Sequence, residues 1–290
     1  MHNHNDMYSF GAKTAVTSIC INSGLCVLKF AAGILGRSHA MLADAVHTAS
    51  DLLTSVAVLV GFKIAKRPAD LEHPYGHGRA ESIVAKLVAF VLICLGVKVG
   101  WDSMYALREG GLHRPHVAAL WAAILSILVK EGLFRYSYRR GKKISSTSLV
   151  TDAWHHRSDA ISSVAALIGI GGARLGFSAL DPLAGIAVSI LVIKVGLQNF
   201  HSAYDELMDS SLPKEITDNI KNLTLQIEGV KRVKDIKTRK LGLEILIDLI
   251  IEVDGQMTVN KSHAITAMVR KNILDKVPNV RDLMIHVEPC

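Results

Sequence analysis

Two segments of the chain repeat the same spacing of metal-binding side chains. His47 and Asp51 lie four residues apart in ADAVHTASD, and His155 and Asp159 lie four residues apart in DAWHHRSD. Residues at positions i and i+4 share one face of an α-helix, one turn apart. Two such helices packed face to face offer two imidazoles and two carboxylates, which suit tetrahedral Zn²⁺ and suit Ca²⁺ or Mg²⁺ poorly. The spacing therefore predicts a four-ligand transition-metal site.

Both segments fall in long apolar stretches of the sequence. A membrane span needs about 20 mostly apolar residues as helix. Six stretches meet this requirement, and they cover residues 12–36, 39–63, 82–106, 116–135, 147–174 and 182–201. Charged side chains are costly in lipid, so those of the second and fifth stretches must face protein or a water-filled cavity. The metal site is therefore predicted inside a membrane. The alternative is that its four residues only hold helices together.

The connection between the second and third stretches holds another candidate site. Asp70, His73 and His77 lie close together in PADLEHPYGHGRAES, where Pro74 and Gly76 bend the chain so that the side chains can converge. Two imidazoles and a carboxylate are a reasonable donor set for the same kind of ion. The alternative is a solvated loop whose glycines only permit a turn.

Basic residues in the connections predict the orientation of the chain in the membrane. Those of the N-terminal segment and of the connections after the second and fourth stretches are Lys13, Lys63, Lys66, Arg67, Arg79, Arg135, Arg139, Arg140, Lys142 and Lys143. Those of the opposite side are fewer, namely Arg37, Arg108, Arg114 and Arg174. The positive-inside rule then predicts a multi-pass protein of the cell membrane with cytoplasmic termini. This distribution accounts for the net charge of +7 without a nucleic-acid partner.

The pattern changes after the sixth stretch, where charged residues become frequent. Residues 214–228 and 258–276 have the pattern of helices, and residues 230–240, 243–253 and 280–288 have the pattern of strands. The order αββαβ predicts a small two-layer α+β domain. We therefore divide the chain into a six-helix membrane domain, residues 1–208, and a second domain, residues 209–290. His263, His286, Asp248 and Glu288 of this domain form a third candidate site, with ordinary surface residues as the alternative.

Five segments together resemble the cation diffusion facilitator family. They are HAMLADAVHTASDLLTS, PADLEHPYGHGRAES, DAWHHRSDAISS, ELMDSSLP and IHVEP, and the resemblance covers nearly the whole chain. It implies a Y-shaped homodimer in which each subunit has six transmembrane helices and a cytoplasmic, ferredoxin-like (metallochaperone-like) αββαβ domain. It also implies export of Zn²⁺ or a similar divalent ion in exchange for protons.

The resemblance also implies roles for individual residues. The transport site falls on His47, Asp51, His155 and Asp159, and a second metal site falls on Asp70, His73 and His77. Arg79 and Asp209 match positions that form a charge cluster between subunits in relatives. In the C-terminal domain His263 and His286 match ligands, and Glu288 stands where Asp is common. Lys234 and Ile250 replace two further histidines, so a two-ion site there is incomplete.

The donor set itself suggests how metal and proton movements are linked. Two neutral imidazoles, two carboxylates and a divalent ion sum to zero charge, and removal of the ion leaves two carboxylates that protons can neutralise. Zn²⁺ is predicted as the transported ion, and the same ion is a candidate regulator at the other two sites. Fe²⁺, Co²⁺, Cd²⁺ and Mn²⁺ are alternatives, as is a metal-binding membrane scaffold that transports little. The chain has no HExxH segment, and no enzyme is predicted.

Overall fold

The computed structural model describes residues 4–110, 112–143 and 147–290. Residues 1–3, 111 and 144–146 of the predicted membrane domain lie outside the described residues. The helices and strands are α1 (His4–Leu35), α2 (His39–Ala65), α3 (Ala80–Arg108), α4 (Val117–Lys143), α5 (Thr147–Arg174), α6 (Leu180–Leu207), α7 (Lys214–Leu225), β1 (Arg232–Leu241), β2 (Glu244–Val253), α8 (Val259–Lys276) and β3 (Val280–Pro289).

The six long helices coincide with the six predicted spans. Within the described residues, α1, α2, α3, α4 and α6 each contain a segment long and apolar enough to cross a membrane. Helix α5 is as long as these five but carries more polar residues, among them the predicted ligands His155 and Asp159. Several helices run past the predicted apolar limits, as α4 does with Arg140, Lys142 and Lys143 in its last turn. Basic side chains stabilise a helix C-terminus, so the helix outlasts its apolar part.

The described chain divides into two compact units. One consists of the residues up to Val56 together with Leu87–Asn199. In this unit α4 packs along α5, and α1 packs against α4. Many contact positions carry small side chains, among them the buried Ala32, Ala119 and Ala166. Small residues let helix backbones approach closely, which is how membrane helices gain packing energy without a hydrophobic effect between them.

The second unit consists of Ala57–Lys86 and Phe200–Cys290. Its sheet has the order β1-β2-β3, in which β1 and β2 are antiparallel and β2 and β3 are parallel. Helix α8 supplies the crossover that a parallel pair requires. Ile247, Leu249 and Ile251 of β2 are buried in a core with Ile220 of α7 and Ile273 of α8. The predicted αββαβ domain and the fold class are thus confirmed.

One boundary of the α+β domain differs from the prediction. Helix α7 ends at Leu225 rather than at residue 228, and β1 begins at Arg232 rather than at residue 230. A turn separates them, because the N–H of Val230 donates to the carbonyl of Ile227 and Gly229 adopts a positive φ of 95°. Glycine reaches this conformation without a steric penalty, so the turn ends α7 earlier and starts β1 later than the apolar pattern predicts.

Candidate metal centres

Helices α2 and α5 bring three of the four predicted intramembrane ligands together. Asp51, His155 and Asp159 each place one donor atom so that all three atoms lie within 4.8 Å of one another. Nε2 of His155 lies 3.5 Å from Oδ1 of Asp51 and 3.8 Å from Oδ1 of Asp159. At these distances, small shifts of the three donor atoms would let them surround one ion. We call Asp51, His155 and Asp159 the ligand group.

His47 borders this group through Asp159. Its Nε2 lies 3.8 Å from Oδ1 of Asp159, and its side chain is only 13% exposed. Among the described residues, Nδ1 of His47 and Oδ2 of Asp51 are buried polar atoms without a hydrogen-bond partner. Buried polar atoms are nearly always paired, so unpaired atoms beside a donor cluster indicate a place for a ligand. His47 and Asp51 therefore each offer a donor atom that is free to bind.

A cavity of about 480 Å³ opens onto the group. It is lined by residues of α1, α2, α5 and α6, including Asn22, Asp51, Asp152 and Asp159. His156, which helical geometry places on another face from the ligands, also lines the cavity, with its Nε2 3.4 Å from Oδ2 of Asp152. The cavity gives a divalent ion and its water a polar approach to the ligand group.

A lysine that the sequence patterns did not predict contacts this group through Asp159. Lys130 of α4 is completely buried, and its Nζ lies 2.7 Å from Oδ2 of Asp159. The apolar pattern of the fourth stretch predicts only an ordinary span. The one lysine within it was the signal, because an ionisable side chain deep in a membrane helix needs a partner.

A second buried lysine, Lys29, was also not predicted, because the apolar pattern of the first stretch predicts only an ordinary span. Lys29 of α1 lies 2.8 Å from Oδ2 of Asp44 and also donates to the hydroxyls of Thr48 and Ser163. Ser163 in turn donates to Asp44. Asp44 precedes His47 by one helical turn. It is thus part of a buried ion pair whose two members also form hydrogen bonds with hydroxyl groups.

The loop group also comes together, within the second unit. Asp70, His73 and His77 place donor atoms within 4.8 Å of one another. Oδ1 of Asp70 lies 3.2 Å from Nδ1 of His73, and Oδ2 lies 3.5 Å from Nε2 of His77. The backbone N–H of His73 donates to Asp70, and this bond, with the nearby histidine side chains, lowers the pKa of Asp70. An ionised Asp70 between two imidazoles is a three-donor site that faces water.

Local turn geometry explains why the loop converges. The N–H of Gly76 donates to the carbonyl of His73, and Gly76 has a positive φ of 76°. A side chain at Gly76 would be strained by this conformation, and its Cβ would lie 2.9 Å from a guanidinium nitrogen of Arg281, which would have to move. Next to the loop, Arg79 and Asp209 form an ion pair of 2.6 Å within a single chain.

The third predicted group is not assembled in the single chain. His263 and His286 are exposed, on α8 and β3 respectively. Nε2 of His286 lies 3.9 Å from Oε1 of Glu288, but Oε2 of Glu288 accepts a hydrogen bond of 2.5 Å from Lys234. This bond raises the pKa of Lys234, so the ammonium keeps its charge beside the carboxylate. Lys234 sits at a β-bulge, where the register of β1 shifts between Val233 and Asp235.

The fold defines an integral membrane protein of long helices with an attached α+β domain, and comparison with known proteins identifies its class. Residues 15–208 match the family model described as the cation efflux transmembrane domain, and residues 212–290 match the cytoplasmic domain of cation efflux proteins. The chain therefore belongs to the cation diffusion facilitator family, a family of transporters.

Two relatives align over almost all of this chain, and one solved domain aligns with its C-terminal part. Metal tolerance protein C1 of Arabidopsis thaliana is 36% identical over 97% of this chain, which spans 63% of that protein's length. Manganese efflux system protein MneP of Bacillus subtilis (strain 168) is 33% identical over 96% of this chain and 95% of its own. A solved C-terminal domain of MamM is 26% identical, covers 27% of this chain and 96% of its own, and aligns with a TM-score of 0.26.

Proposed function

We propose that this protein exports a divalent transition-metal ion, Zn²⁺ first among them, in exchange for protons. The ion binds at His47, Asp51, His155 and Asp159. The observation that carries the proposal is the group of donors on α2 and α5, with its unpaired buried atoms and the cavity beside it. Exposure of such a group to one side of the membrane and then to the other moves an ion across it.

The choice of Zn²⁺ rests on the donor atoms. Two imidazoles and two carboxylates suit a four-coordinate borderline ion, whereas manganese prefers oxygen donors. The relative MneP is named for manganese efflux, so Mn²⁺ is the first competitor to test. Fe²⁺, Co²⁺ and Cd²⁺ follow, because affinity for nitrogen and oxygen donors does not by itself fix the ion that is carried.

Proton exchange follows from the charges that remain when the ion leaves. Asp159 keeps the ammonium of Lys130 as a partner, whereas Asp51 faces His155 and retains an unpaired carboxylate oxygen among the described residues. A carboxylate in a low-dielectric site requires compensation, which protons on Asp51 and His155 provide. Metal and protons then compete for the same atoms, and the movement of each is linked to the other.

We propose further that the protein is a homodimer in the cell membrane with both termini in the cytoplasm. The basic connections after α2 and α4 support this orientation. The membrane domain ends at residue 208, and the cytoplasmic metallochaperone-like domain begins at residue 209.

The other two candidate sites have separate roles in this proposal. Asp70, His73 and His77 bind one ion at the cytoplasmic surface, where it regulates transport. His263, His286 and Glu288 bind an ion only when Lys234 releases Glu288. While Lys234 holds Glu288, the α+β domain acts mainly in dimerisation.

Reconstitution into liposomes tests the proposed function. Purified protein is placed in vesicles that contain a metal-sensitive dye, and Zn²⁺, Mn²⁺, Fe²⁺, Co²⁺ or Cd²⁺ is added outside. We expect saturable uptake that is fastest for Zn²⁺. Binding of zinc without uptake would identify a metal-binding scaffold instead, and faster uptake of Mn²⁺ than of Zn²⁺ would contradict the assigned cargo.

A further inference from the structure

The two oxygens of Asp159 face different cations. Oδ2 lies 2.7 Å from the ammonium of Lys130, and Oδ1 lies 3.8 Å from the Nε2 atoms of His47 and His155. Asp159 is 3% exposed and Lys130 is fully buried, so water does not screen the pair. A proposed metal ligand therefore shares its carboxylate with the ammonium of a buried lysine.

The other buried lysine, Lys29, differs from Lys130 in the groups that it contacts. Lys29 distributes its hydrogen bonds over Asp44, Thr48 and Ser163, and Asp44 is outside the ligand group. Lys130 instead directs its ammonium at a carboxylate of the ligand group. The Lys29–Asp44 pair includes no member of the ligand group, whereas Lys130 places a positive charge directly on one of its carboxylates.

We propose, on the basis of the proposed function, that Lys130 is a tethered cation that weakens binding of the transported dication and thereby speeds its release. Like charges repel strongly where the dielectric constant is low, and an ammonium on the far oxygen of Asp159 also withdraws part of that ligand's charge from the metal. When the dication leaves, Lys130 already neutralises Asp159, so the empty site does not keep two uncompensated carboxylates. No change in the charge of Lys130 is required.

A purely structural role makes a different prediction. If the pair only fastens α4 to α5, loss of the ammonium lowers stability and transport rate without tightening metal binding. If Lys130 is a tethered cation, its loss tightens binding. Affinity therefore separates the two roles.

The test compares Lys130→Gln with the wild type in the full-length protein. Glutamine keeps an N–H donor for Asp159 but removes the charge, and Lys130→Met serves as a second neutral variant. Lys130→Arg keeps the charge, and Lys98→Met removes an exposed lysine of the same unit that pairs with Asp102. Every protein in the comparison, including the reference with an otherwise wild-type sequence, carries His77→Ala, so that the loop group does not contribute. Zinc binding is measured by calorimetry in detergent, at mildly alkaline pH where protons compete little for the carboxylates.

We expect the dissociation constant for zinc to fall about tenfold or more in Lys130→Gln and Lys130→Met and to stay near the wild-type value in Lys130→Arg and Lys98→Met. In vesicles the apparent KM and the maximal rate of the neutral variants should both fall, because release becomes slow. Unchanged or weaker binding by a folded neutral variant would overturn the inference. If Asp51→Asn leaves zinc binding unaltered, the proposed site itself fails, which is a separate result.

Discussion

Nε2 of His155 lies 3.5 Å from Oδ1 of Asp51, although the two residues belong to different helices. This contact joins one member of each HxxxD pair, and Asp159 completes the group from the next turn of α5 after His155. The donors of α2 and α5 thus lie opposite one another, and an ion bound there would connect the two helices. Changes in the spacing of these helices would then alter the coordination of the ion.

Substitution of Asp51 tests the ligand group. In Asp51→Asn we expect initial zinc flux to fall by at least about tenfold, because a neutral amide oxygen is a poorer ligand for Zn²⁺ than a carboxylate. The flux is measured in vesicles with equal amounts of folded protein. The control is Asp102→Asn, which removes an exposed carboxylate from α3 and should transport normally. Near-normal flux through Asp51→Asn would remove this residue from the site.

The Lys29–Asp44 pair is predicted to stabilise the membrane unit rather than to bind cargo. Lys29→Met leaves the fully buried Asp44 without its counter-charge, and loss of one partner of such a pair costs about 3–5 kcal/mol. We expect a clearly lower Tm in detergent. Lys98→Met should change Tm little, because an exposed pair contributes at most about 1 kcal/mol. Equal Tm values for the two variants would show that the buried pair is not stabilising.

The loop group is predicted to hold one ion of its own. In His77→Ala we expect one fewer zinc ion per chain, measured by elemental analysis of the purified protein at saturating zinc, while the intramembrane site still binds. Glu72→Gln removes a charge from the same loop outside the donor group and should keep the full number of ions. The same zinc content in His77→Ala as in the wild type would mean that the loop is an ordinary turn.

Lys234 is predicted to keep zinc away from the C-terminal group. Lys234→Ala frees Glu288, so at a fixed free zinc concentration we expect more zinc bound per chain than in the wild type. The gain should disappear when His286→Ala is added. Lys231→Ala, which removes an exposed lysine nearby, should have no effect. If Lys234→Ala binds no additional zinc, the residues of this group do not form a site.

Local sequence patterns were sufficient for the architecture and for the choice of candidate site residues. The HxxxD spacing depends only on helical geometry, so the sequence alone places His47 and Asp51 on one face of a helix, and His155 and Asp159 on one face of another. The spans and the αββαβ order follow from apolar periodicity in the same way. Boundaries shifted where one glycine, such as Gly229, ended an element earlier than the apolar pattern did.

Contacts between side chains that are distant in sequence could not be predicted from these local patterns. Lys130 and Asp159 are 29 residues apart on different helices, and no local spacing connects them. Likewise, Lys234 reaches Glu288 across β2 only because a bulge and the strand order place them together. The presence of a lone lysine in an apolar stretch was visible in the sequence, but the identity of its partner required the packing of α4 on α5.

Simultaneous measurement of zinc and proton movement tests the central claim most directly. Vesicles with an acidic lumen carry one dye for zinc and one for pH, and zinc is added outside. We predict that zinc uptake is accompanied by a rise in lumenal pH, and that Asp51→Asn reduces both signals together. Zinc uptake by the wild type without any proton movement would contradict metal–proton exchange at this site.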